Sequence, residues 1–87
     1  MVVVLTEGVW AEVKAGNEHL RLFSEHNAQG VQASVYSVNT KSWIAPSEPV
    51  EDIEQGKEKA AEHASAHLKH AAGLELPPLQ WKKSRSR

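Results

Sequence analysis

Residues 47–73, SEPVEDIEQGKEKAAEHASAHLKHAAG, have a different period from everything before them, and that change sets the fold class. At about 100° per residue, Val50, Ile53, Ala60, Ala64, Leu68 and Ala71 fall on one stripe, while Glu51, Glu58, Glu62 and Lys69 fall opposite. One long amphipathic helix is expected. Ser47 is the expected N-cap, with Pro49 in the first turn, where a missing NH costs little, and Glu48, Glu51 and Asp52 at the positive end of the dipole. The helix should run to about Ala72, with Gly73 as its stop and Lys69 and His70 at its negative end. Gly56 either costs about 1 kcal/mol within it or separates a first turn from the main helix.

Before this stretch the chain is rich in Val, holds its single Tyr and two of its three Trp, and is broken by turn signals every several residues, the pattern of short antiparallel strands. The expected strands are Val2 to Leu5, Val9 to Lys14, His19 to Glu25, Val31 to Val38 and a short Ser42 to Ala45. Thr6-Glu7-Gly8 would connect the first two as a tight turn. The architecture is therefore α+β: a small antiparallel β-meander of three to five short strands, followed by one long C-terminal helix packed on one sheet face. Residues 1–73 form a single domain. Residues 74–87, with Pro77-Pro78 and a basic end, read as a flexible Pro-containing basic tail.

Alternation sorts the strand residues onto two faces. Val9, Ala11, Val13, Leu20, Leu22, Val31, Ala33 and Val35 form an aliphatic face; Trp10, Arg21, Phe23 and Tyr36 lie on the other, with Lys14, Glu12 and Glu25. The aromatic set either packs under the helix as core or stays open as a contact surface. If open, it suits a protein partner or a second copy of the chain, because Trp, Tyr, Phe and Arg are enriched in interface cores. Alternatively it is a nucleic-acid platform, on which bases stack and basic side chains meet phosphates. The plan is similar to that of DNA-reading domains that lay a three-stranded sheet in the major groove, an analogy of fold alone.

Trp81, Lys82, Lys83, Arg85 and Arg87 form a second candidate contact set, an aromatic beside four positive charges. They read as a solubilising tail, as a contact for nucleic acid or an acidic partner, or as a segment in which Trp81 packs back onto the sheet. The net charge of -1 conceals this division. Residues 1–80 hold six basic and eleven acidic residues, a net of -5, whereas residues 81–87 hold four basic and none acidic. The tail could thus fold back onto the acidic helix.

The remaining chemistry is sparse. His63, His67 and His70 share one arc of the helix at metal-ligand spacing, but Ala64 stands where a zinc hydrolase motif needs glutamate, so no metal is expected. Gly56-Lys57 lacks the flanking residues of a phosphate loop, and no nucleophile elbow occurs. No catalytic residue and no cofactor are expected, and the function class is binding. Absence of cysteine excludes a disulfide framework and a thiolate metal site, making a reducing, cytoplasmic setting the default. Val2 to Leu5 is too short for a signal-peptide core, and no stretch approaches a membrane span.

Overall fold

A computed structural model describes residues 7–27 and 30–85. Five strands, β1 (Glu7–Ala15), β2 (Glu18–Asn27), β3 (Gly30–Ser37), β4 (Ser42–Val50) and β5 (Lys82–Arg85), form one sheet in the order β4-β3-β2-β1-β5, and every neighbouring pair is antiparallel. The helix α1 (Ile53–Ala72) lies between β4 and β5 in sequence and packs mainly on β2 and β3. The class is α+β, as the two periods in the sequence require.

The aliphatic face is the one beneath the helix. Val13, Leu20, Leu22, Ala33, Val35 and Ala45 from the sheet meet Ala60, Ala64 and Leu68 from α1 in one core. Alanine at the helix contact lets the two backbones come close, and Gly56 extends this, because a Cβ there would collide with Ser24 of β2. The Ser24 hydroxyl, fully buried, donates to the Ile53 carbonyl at 2.8 Å, which satisfies it inside an otherwise apolar contact. Gly56 is thus part of the helix, and no break separates a first turn from the rest. Ala71, expected on the packed stripe, is exposed, and Val50 belongs to β4.

Three boundaries differ from expectation. The helix is capped by Asp52, not Ser47: its side chain accepts from the Gln55 NH at 2.8 Å, while the Gln55 side chain accepts from the Glu51 NH at 2.7 Å. Residues 42–50 continue as strand because Ala45 and Glu48 precede prolines, which disfavours helical backbone there, and an edge strand tolerates the missing NH groups. Glu7 and Gly8 lie within β1 rather than in a turn; a Cβ on Gly8 would press on the backbone of Ser24 and Glu25, so this glycine serves a close strand approach. The strand expected at Val2 to Leu5 and the residue Thr6 lie outside the described residues. Gly73, at φ 65, ends the helix as expected.

The segment read as a tail from residue 74 is built into the domain. Leu74, Leu76, Leu79 and Trp81 are partly buried against the core, and Lys82–Arg85 pair with β1. They do not fold onto the acidic helix. A four-residue strand of charged and small residues has no periodic signature, and its backbone supplies the attachment by pairing along an edge that β1 leaves open.

Candidate functional site: the open sheet face

The face opposite α1 carries the aromatic side chains, as the uncovered alternative requires. Trp10 on β1 stands opposite Phe23 on β2, Arg21 stands opposite Tyr36 on β3, and Tyr36 stands opposite Trp43 on β4. These residues form two adjoining groups. Trp43 contacts Tyr36 edge-on at 5.0 Å between ring centroids and Phe23 at 6.1 Å with tilted planes. Trp10 lies between two cations, with Arg21 at 5.9 Å and Lys82 at 5.6 Å from its ring centroid, distances at which an indole face attracts positive charge.

Trp43 is the residue that sequence reasoning missed. It is 55% exposed, the one large hydrophobic side chain exposed among the described residues. Plain alternation puts Trp43 on the same face as Ala45, which is buried under the helix. The β3–β4 register shifts by one residue between Val35 and Tyr36, so Ala45 opposite Val35 points to the core while Trp43 opposite Tyr36 points to the open face. Trp next to β-branched Ile44 signals a strand, but nothing in the sequence marks the bulge.

Charged groups on this face are held in place. The Glu12 carboxylate accepts from His19 Nε2 at 2.7 Å and from Arg21 Nε at 3.4 Å. The hydrogen bond from His19 is the main reason that the Glu12 carboxyl sits below its ordinary range, with the charges of His19 and Lys14 adding to it. Arg21 is therefore shared between Glu12 and the Trp10 ring. The face bears Lys14, Arg21 and Lys82 together with Glu12 and Glu25, so neither sign dominates it.

Of the second candidate set, Lys82 joins this face, whereas Trp81 has the opposite alternation and packs against the core beneath. Lys83 is exposed opposite Val9, and Arg85 stands opposite Glu7. Arg87 lies outside the described residues. The three helix histidines do not converge: His63 Nε2 donates to Glu48 on β4 at 2.9 Å, His67 Nε2 donates to Glu18 on β2 at 2.6 Å, and His70 is exposed. Among the described residues no group of three His, Asp or Glu side chains could hold a metal ion. The wet face of α1 carries a shallow depression lined by Gln55, Glu58, Lys59, Glu62, Ser65 and Lys69. No described helix is long and apolar enough to cross a membrane.

Compared with known protein families, with curated proteins and with solved structures, the chain matches none.

Proposed function

We propose that this chain acts by binding, without catalysis, and that the open aromatic face is its contact surface for protein. The observation that carries the reading is the exposure of Trp43 on a ledge formed by Tyr36 and Phe23, beside a second indole lined by Arg21 and Lys82. Tryptophan, tyrosine and arginine are the side chains that most often dominate binding energy, and here all three occupy one surface. A cytoplasmic setting goes with this reading, supported by the absence of cysteine.

Nucleic acid is the second reading, favoured by one observation: β5 sets Lys82 against Trp10, so the basic segment and the aromatic face adjoin. Against it stand Glu12 and Glu25 on the same face. The tilted Trp43, Tyr36 and Phe23 rings also do not present parallel stacking planes. Salt separates the two. Binding to a single-stranded oligonucleotide should weaken steeply with added salt, and an apolar protein contact should not.

The three tryptophans give a direct test, because Trp10 and Trp43 lie on the open face while Trp81 packs on the core. Indole NH resonances of the labelled chain are followed as its concentration rises, and separately in cell extract at low concentration. Broadening or shifts of the Trp10 and Trp43 signals, with Trp81 unmoved, support the reading in either arm. Trp10 and Trp43 signals unchanged in both arms overturn it.

A further inference from the structure

We propose that the occupant of the open face is a second copy of this chain, packed face to face about a two-fold axis that crosses the middle of β2 at right angles to the strands. This inference rests on the binding role of that face and names its partner.

Three features lead to it. First, edge-to-edge joining is hindered along β4 and β5, the outermost strands of the sheet. β4 carries Pro46 and Pro49, and β5 has four residues that include Lys82 and Lys83, devices that blunt strand pairing. α1 covers one face, and among the described residues no element covers the other, which leaves it for association. Secondly, the area suffices. Five strands at about 4.8 Å spacing and eight residues of β3 at about 3.4 Å each give a face on the order of 650 Å², near the roughly 800 Å² per partner of a standard interface.

Thirdly, charge along the central strand selects the axis. On the open face β2 presents His19, Arg21, Phe23 and Glu25 in that order, two basic side chains that share the one Glu12 carboxylate at one end and an acidic one at the other. An axis parallel to β2 would lay Arg21 on the partner's Arg21 and Glu25 on the partner's Glu25, opposing like charges. An axis perpendicular to it at Leu22 instead lays His19 towards the partner's Glu25 and Arg21 towards the partner's Phe23. Like charges then separate, and a cation meets a ring. The same rotation lays β4 over β4. The two Trp43 side chains then come side by side near the axis, each removed from water.

Sedimentation of the unmodified chain over a wide concentration range, at low and high salt, is the first measurement. A dimer that persists in high salt is expected, with Trp43→Ser weakening it at least tenfold. The chain has no cysteine, so single cysteines report geometry without interference. Cross-linking uses a bis-maleimide of about 10 Å span, matching the distance between packed sheets. Lys82→Cys, on β5 one register step from the axis, is expected to cross-link to itself, and Glu58→Cys on the far side of α1 is not. A mixture of Lys82→Cys and Ser47→Cys, the latter exposed on β4, tests the parallel axis, which lays β5 over β4. Preferential mixed cross-links overturn the proposed axis. A monomer at every concentration overturns the second copy as occupant; the indole signals in extract then decide separately whether the face binds another protein.

Discussion

Gly56 of the helix rests directly on Ser24 of β2, with no room between them for a Cβ. The contact is closed by the Ser24 hydroxyl on the Ile53 carbonyl, one turn of helix away. Helix propensity alone would favour alanine at position 56 by about 1 kcal/mol. Packing opposes it, because the Ser24 Cβ is fixed to the strand backbone and cannot swing aside as the end of a long side chain can. Gly56→Ala is expected to destabilise the fold by about 1–3 kcal/mol, the range for overfilling a close-packed contact. Chemical denaturation of the two proteins measures it, and a Gly56→Ala variant as stable as the parent would show that the helix can lift from β2 at no cost.

Asn39, in the turn between β3 and β4, reaches across to the turn between β1 and β2. Its carboxamide accepts from the His19 NH at 2.6 Å and donates to the Asn17 carbonyl at 2.6 Å. Asn39→Ala removes both bonds, and Asn39→Asp keeps the acceptor but not the donor. Since such bonds contribute roughly 0.5–1.5 kcal/mol each, the alanine variant should lose about 1–3 kcal/mol and the aspartate variant less. Thermal unfolding should rank them in that order.

Acid should loosen the hold of α1 on β4. The hydrogen bond from His63 is the main cause that keeps the Glu48 carboxyl below its ordinary value of 4.5. A carboxyl depressed in the folded state takes up a proton more readily once unfolded. Its contribution is therefore present above about pH 4.5 and is lost as pH falls through the folded value. Glu12, depressed chiefly by His19, acts in the same sense on the sheet. The fall in Tm between pH 6 and pH 3 should be shallower in Glu48→Gln and in Glu12→Gln than in the parent. Parallel curves would show that neither pair is felt.

Trp81 is expected to matter for stability more than its place near the end of the sequence implies. It packs with Leu74, Leu76 and Leu79 against the core. Trp81→Ala should cost about 2–4 kcal/mol, at the low end of the range for fully buried aromatics because this one is partly exposed. Trp43→Ala, on the open face, should leave the stability of the isolated chain nearly unchanged. Denaturant melts at low protein concentration compare them, and equal losses would contradict the placement of the two rings.

The period of the helix and the alternation of β1, β2 and β3 were legible in the sequence, because each residue there obeys one simple repeat. Trp10, Arg21, Phe23 and Tyr36 follow from that alternation and do share one face. Which face the helix covers was not legible. The answer depends on the fit of Gly56, Ala60 and Ala64 to β2 and β3, and no single segment carries that fit. Trp43 was hidden by a bulge, since one extra residue reverses the parity on which the reading depends. Asp52 was masked by Ser47, a competent cap five residues earlier, although the Asp52 and Gln55 spacing is itself a capping signal. β5 escaped because Trp10 and Lys82 are far apart in sequence, and a short basic strand looks like solvent-exposed chain.

The pairing of β5 with β1 ties the order of events in folding to the order of synthesis. β1, β2, β3, β4 and α1 emerge from the ribosome first, and in that interval β1 is an unpaired edge. Its backbone and the side of the core that Trp81 later covers are open to other nascent chains. Only when residues 82–85 are released can the part of that edge from Glu7 to Trp10 close and Lys82 reach Trp10. Until then the sheet lacks its outermost strand on that side, so the backbone hydrogen bonds of β5 are among the last contacts of the described fold to form.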